Sequence, residues 1–225
     1  MNAVVILQAR TTSTRLPGKA LLPVAGYPSA VLAALRAGNR GANVLAATSS
    51  DTSDDALAEV FCRHRIPLFR GPLHDVLARY HAATADLSPE AVVVRLTADN
   101  MLPDGDLVRE LTSAFENSGL DYLGTSDRLP YGVAAEAFSV KALRKAHHAA
   151  TTAYDREHVG PWMLRNCESG TYTPPAFATG DHSHLRCTLD YEQDYLRILR
   201  LFDGSRDPMR MGWYELTQKL SSLPD

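Results

Sequence analysis

The chain has 225 residues, 45% hydrophobic and 22% charged, with 23 basic against 26 acidic side chains and a formal charge of −3. A chain of this size buries about three-quarters of its unfolded surface in one or two domains, and without a basic surplus it lacks the charge that holds nucleic acid through counterion release. Cys62, Cys167 and Cys187 are odd in number, widely spaced and form no CxxC pair, which predicts buried thiols in a reducing compartment rather than a disulfide frame or zinc site.

Taken in order, the apolar run Ala3–Leu7 reads as a first buried strand. It is too short for a signal core, and no stretch approaches the ~18 apolar residues of a membrane span, so a cytoplasmic protein without a membrane partner is expected. A basic, hydroxyl-rich loop follows, and then the helical stretch SAVLAALRAG, with Ser29 as N-cap candidate and Gly38 near its end. NVLAATS predicts a strand and DDALAEVFCRHR a helix with Ala56, Leu57, Val60, Phe61 and His64 on one face. IPLFRG with LHDVLARYHAATA, and AVVVRLT with DLVRELTSAF, repeat the rhythm. Continuous β-branched runs suit strands covered on both faces, and four strand–helix units predict a doubly wound α/β sheet. After LDYLG, the segment TSDRLPYGVAAEAFS reads as an extended, lid-like insertion. Helices are expected around Val140–Ala150 and Tyr154–Asn166, a strand at HLRCTLD, and closing helices. With no repeat or linker, the chain is assigned one domain, 1–225, with an elaborated second half.

In an open parallel sheet, ligands sit outside the carboxyl ends of the strands. The loop from Ala9 to Lys19 leaves the first such end, carrying Arg10, Arg15 and Lys19 among Thr and Ser hydroxyls. Guanidinium forks, an ammonium and tight-turn amides are the groups a polyphosphate needs; a solvated charged loop is the alternative. STRLPGKA lacks the glycine spacing and the Ser/Thr of a Walker loop, and there is no GxGxxG.

QARTTSTRLPGKALLPVAG resembles the N-terminal signature of the sugar cytidylyltransferases, specifically the branch of spore coat polysaccharide biosynthesis protein F, related to acylneuraminate and Kdo cytidylyltransferases. The likeness continues through FRGPLHDVLARYHAA, VVRLTADNML, GVAAEAFS, DREHVGPWM and HLRCTLDYEQDYLRI. The resemblance implies a Rossmann-like nucleotidyltransferase sheet, mostly parallel, and a Mg²⁺-dependent transfer of CMP from CTP to a small anionic acceptor with release of pyrophosphate. It implies that Arg15 and Lys19 hold the β- and γ-phosphates, with Arg10 and Ser13 in the same loop, and that Leu7, Gln8 and Ala9 supply backbone near the base. Asp99 and Asp190 match metal-binding aspartates, though each alone is also a candidate helix N-cap. Arg70 matches an arginine near the nucleotide, with a surface pair to Asp75 as its plainer reading, and Thr97 and Asn100 flank Asp99. Glu136 and the run Arg156, Glu157, His158 match acceptor-side positions, although His158 read alone is a packed helix histidine. A homodimer is also implied, as is a division of the single domain into 1–125, mainly nucleotide-binding, 126–185, an acceptor and lid region, and 186–225, a closing strand and helices.

Departures fall on the acceptor side. ADNM replaces the family's GDCP-like turn, Tyr131 and Ala134 stand where acids are common, and Cys187 replaces a tryptophan. An acidic sugar, a phosphonate or a sugar phosphate are all open as acceptors; a nucleotidyltransferase using another NTP and a noncatalytic nucleotide-binding homologue are the alternative functions. His147–His148 and His182-x-His184 each lack the third ligand of a zinc site in the sequence.

Overall fold

A computed structural model describes residues 3–223, so the outermost two residues at each end of the 1–225 assignment lie outside the described residues. Strand β1 (Val4–Gln8) is followed by the basic loop, a 3₁₀ turn at Lys19–Leu21, a two-residue hairpin of β2 (Pro23–Val24) and β3 (Tyr27–Pro28), and helix α1 (Ser29–Ala37). Next come β4 (Asn43–Ser49), α2 (Asp55–Arg63), β5 (Leu68–Gly71), α3 (Val76–Ala83), β6 (Val92–Thr97), α4 (Gly105–Ser118) and β7 (Tyr122–Thr125). The remainder is β8 (Glu136–Ser139), α5 (Val140–Ala149), α6 (Ala153–His158), α7 (Gly160–Asn166), β9 (Ser169–Tyr172), α8 (Glu192–Phe202) and α9 (Trp213–Ser221).

The main sheet has seven strands in the order β5-β4-β1-β6-β8-β7-β9. β1 pairs in parallel with β4 and β6, β4 with β5, and β7 with β9, whereas β8 runs antiparallel to β6 and β7. The expected mostly parallel α/β sheet is therefore present, and alternation along β1 explains why it is buried on both faces. Val5 and Leu7 enter one core, shared with α1 and α4, and Ile6 enters the other, shared with Leu77, Tyr80 and Leu143 of α3 and α5.

Several local expectations are corrected. Of the three thiols expected to be buried, Cys187 is buried, Cys167 is half-buried and Cys62 is exposed, because Cys62 lies on the solvent side of α2. Ser29 is the first helical residue rather than the cap, and its hydroxyl instead donates to the Lys19 carbonyl at 2.7 Å. On α2, Leu57, Ala58 and Phe61 are buried while Ala56 and His64 are exposed, because the helix turns a narrower face to the sheet. The helix expected across Tyr154–Asn166 breaks at Val159, whose φ is +65°; Pro161 lacks the amide and crowds the carbonyl four residues back, so one helix cannot run through. The lid-like segment divides into a loop and a strand, β8, set between β6 and β7. HLRCTLD is no sheet strand; it makes only isolated bridges, Tyr131 to Arg186 and Asn100 to Thr188.

That loop is pinned rather than free. The Tyr131 amide donates to the Leu185 carbonyl and the Cys187 amide to the Tyr131 carbonyl, both at 2.8 Å. Gly132 has φ +114°, and a Cβ there would meet the Thr188 amide at 2.6 Å, so only glycine suits this crossing.

The closing segment is held by Arg36, fully buried on α1. Its guanidinium donates to the carbonyls of Met101 at 2.7 Å, Leu102 at 2.8 Å, Pro208 at 2.6 Å and Met211 at 2.8 Å. Asp104, buried 4.0 Å away, caps α4 and accepts from the Trp213 amide. Burial pushes Arg36 down to about 10, against the pull of Asp104 and Glu215, which leaves it charged at neutral pH. Arg36→Met should cost about 3–5 kcal/mol, as for a buried pair stripped of one partner. Urea unfolding measures it, and a loss under about 1 kcal/mol would mean the four carbonyls find other donors.

Candidate functional site

The basic loop is fixed before it meets any ligand. Asp54, fully buried at the start of α2, accepts from the Thr11 amide and hydroxyl, both at 2.7 Å, and from the Ser49 amide at 3.1 Å. The Gly18 amide returns to the Thr11 carbonyl at 3.1 Å, and Gly18 itself takes φ +69°, a turn that a glycine makes at no steric cost. The Ser13 hydroxyl accepts from the Leu16 amide at 3.3 Å. The loop thus closes on itself and points Arg15 and Lys19 across the carboxyl ends of β1 and β6.

There they meet two carboxylates. Lys19 Nζ donates to Asp99 Oδ2 at 2.8 Å and to Asp190 Oδ1 at 2.9 Å, and Arg15 reaches the same Asp190 oxygen at 2.7 Å. Asp190 is almost wholly enclosed, with 3% of its side chain exposed, against 51% for Arg15. Its second oxygen accepts from Arg186 at 3.1 Å, and Arg186 also binds Asp194 at 2.7 Å. Asp190 is not the cap of α8: Asp194 serves that end, accepting from the amides of Asp190 and Tyr191 at 3.0 and 2.8 Å. Burial alone would raise the Asp99 carboxyl, but the charge and hydrogen bond of Lys19, with the Thr97 hydroxyl, hold it below the usual carboxylate range.

Two adjoining cavities open here. The first, of about 230 Å³, is lined by Gln8, Ala9, Arg10, Ser13, Arg15, Lys19, Thr97 and Asp99. The second, of about 530 Å³, shares Gln8, Arg10, Arg15, Thr97 and Asp99 with it and adds Asn100, Tyr131, Ala134, Glu136, Glu157, His158 and Asp190. Leu7 stands behind the wall with no exposed surface.

Arg70 and Arg156 line neither cavity. Arg70 donates to the carbonyls of Ser49 and Asp51 and to Asp55 at 2.7 Å, bracing the β4–α2 turn. Its plainer pairing with Asp75 is also absent, because Asp75 caps α3 and pairs with Arg156. Arg156 further donates to the His147 carbonyl at 2.8 Å, so it faces away from the cavity that its helical neighbours Glu157 and His158 line. His158 packs against the Tyr154 ring at 4.5 Å.

Sequence reasoning passed over Arg95, Asp54, Arg186 and Asp194. Arg95 on β6 donates to Glu136 at 2.6 Å and to Gln8 at 3.2 Å, joining the floors of both cavities. An arginine inside the apolar run VVVRLT was the available signal. Asp54 sits in SSDTSDD, where nothing local separates it from its acidic neighbours.

A family model described as Cytidylyltransferase matches residues 4–188. Spore coat polysaccharide biosynthesis protein SpsF of Bacillus subtilis is 27% identical over 241 residues, covering 100% of this chain and 97% of its own. An uncharacterised protein of Methanocaldococcus jannaschii is 30% identical over 211 residues, covering 90% of this chain and 85% of its own. The solved structure of a cytidylyltransferase from Leptospira borgpetersenii superposes with a TM-score of 0.89 at 25% identity, covering 98% of this chain and 94% of its own.

Asp54 gives the loop a pH signature. Burial alone would raise its carboxyl, but hydrogen bonds from Ser49 and Thr11 hold it below the ordinary value. Its stabilisation is therefore complete above the unfolded value of about 4 and is lost as pH falls through the folded value. Asp54→Asn should lose about 1–3 kcal/mol at pH 7, and denaturant titrations should show the gap to the parent narrowing towards pH 3. A constant gap would contradict the assignment.

Proposed function

The chain belongs to the cytidylyltransferase family, and from that membership we propose that Arg15 and Lys19, with Arg10 beside them, receive the triphosphate of CTP in the first cavity while the acceptor lies in the second. The reaction is transfer of CMP from CTP to an acceptor. Lys19, set at 2.8 and 2.9 Å from two carboxylates, is the observation that carries this reading. Charge builds on the leaving pyrophosphate as its bond to the α-phosphorus breaks, and cations already fixed beside it lower the barrier without reorganising.

Asp99 and Asp190 fit a Mg²⁺ ion: they are hard oxygen donors that converge on one cation from segments distant in sequence. We propose that these two residues hold it, where it would supply Lewis-acid charge to the phosphate oxygens. Around it the chain's own groups keep their tasks. Arg15 and Lys19 exchange a carboxylate for phosphate, Arg186 keeps Asp190 in place, and Gln8 and Ala9 border the base.

The small anionic acceptor expected from sequence is refined by the wall that would receive it. The second cavity carries Asp99, Asp127, Glu136, Glu157 and Asp190 against Arg10, Arg15 and Arg95. Arg95 is already matched by Glu136, whereas Arg10 holds Glu157 only at 3.4 Å. We therefore propose an acceptor with one anionic group, received by Arg10 and His158, and hydroxyls that donate to the acidic wall. Exposed Tyr154 and Leu164, on the adjacent helices α6 and α7, support a homodimer; a sedimentation coefficient unchanged between micromolar and submillimolar protein at the monomer value would dismiss it.

Pyrophosphate release measured with each NTP against sugar acids, sugar phosphates and phosphonates tests the reading. Turnover is expected with CTP, Mg²⁺ and a monoanionic hydroxylated acceptor. Lys19→Met should weaken CTP by about 1.5–3 kcal/mol, the scale of a charge-assisted contact, and CMP far less. Equal losses for CTP and CMP in calorimetry would remove Lys19 from the triphosphate.

A further inference from the structure

On the face of the sheet behind the acceptor wall, His81 near the end of α3 meets His147 and His148 at the end of α5. One nitrogen from each lies within 4.8 Å of the others. The His81 and His147 rings stack with centroids 4.1 Å apart at 6°, and His148 stands edge-on to them at 6.0 and 5.5 Å. The third ligand that the sequence withheld from His147–His148 is thus brought in by another helix. His147 Nδ1 is buried with no hydrogen-bond partner, a polar atom whose burial costs free energy unless something pairs with it.

The nearby cations are already engaged. Arg144 donates to the carbonyls of Ala85 and Leu87, and Arg156 to the His147 carbonyl and Asp75. Burial, then the charges of His148, Arg144 and Arg156, lower His81; burial, then His81 and Arg156, lower His147.

We propose that His81, His147 and His148 form a site for a borderline transition-metal ion of the zinc and cobalt class, separate from the carboxylate pair in the cleft. Imidazole nitrogens suit these ions, and three histidines leave a coordination position for water. Metal–nitrogen bonds of about 2.0–2.1 Å require the nitrogens to close to roughly 3.3 Å, so on binding the exposed His148 ring would rotate and the other two would unstack. An ion here ties α3 to α5 and sits against the arginine of α6 whose neighbours line the second cavity.

The test uses the full chain, free of any purification tag and stripped with chelator. Titration with Co²⁺ should give the visible absorption of a tetrahedral or five-coordinate nitrogen site, saturating at a single ion per chain, and Zn²⁺ should displace it and raise the melting temperature. His81→Gln and His148→Gln should each abolish the band and weaken Zn²⁺ by more than about 100-fold, beyond the loss typical of an outer-shell change, with melting in chelator near that of the parent. Asp99→Asn should retain the band. Absence of the band, its survival in both histidine variants, or its loss in Asp99→Asn would overturn the proposal.

Discussion

A single ammonium standing between two carboxylates sets the terms for the whole cleft. Lys19 Nζ is held by Asp99 and Asp190, and Asp190 is so enclosed that it also needs Arg15 and Arg186. A buried carboxylate without such partners would be costly, so the segment that carries Asp190 and the loop that carries Arg15 and Lys19 must be in place together. The charges satisfy one another in the free protein. On the function proposed above, a triphosphate would therefore enter by exchange of partners, without first paying to expose a bare charge.

That requirement reaches outward through ordinary hydrogen bonds. Asp190 has no strand beneath it; its backbone is placed because the Leu189 amide donates to the Asp99 carbonyl at 2.8 Å and Asp194 holds the next turn. The same segment receives the loop before β8 at Tyr131 and Gly132, where Arg186 also lies 4.9 Å over the Tyr131 ring. Arg36 anchors the turn after Asp99 to the chain's last third. The basic loop, the Tyr131–Gly132 loop and the closing segment thus share one set of contacts, and the functional reading draws on all three.

Much of this was legible in the sequence, for physical reasons that differ by region. The first half reads well because parallel strands buried on both faces are continuous apolar runs, and their loops must point to one end of the sheet. The basic loop after β1 and Asp99 after β6 follow directly. The second half reads less well because its order is tertiary. β8 looks like part of an extended loop because its place between β6 and β7 depends on partners outside its own segment. The segment before Asp190 has a strand's composition without a sheet partner. Arg70 and Arg156 carry the right charge at suggestive positions, yet each is turned to brace a turn or a helix end, and only neighbouring backbone reveals that. His81 lies too far from His147 in sequence for any spacing rule to join them.

The place of β8 in the chain has a consequence for register. β6 and β8 are neighbours in the sheet, yet α4 and β7 lie between them in sequence. An apolar strand edge left open is a template for pairing with the wrong strand. Arg95 lies within β6, directly opposite Glu136 of β8, so a slip of one residue would turn the carboxylate to the other face and leave the guanidinium without its partner. The residue that looks out of place in an apolar run thus favours one pairing of the strand as well as shaping the cavity floor.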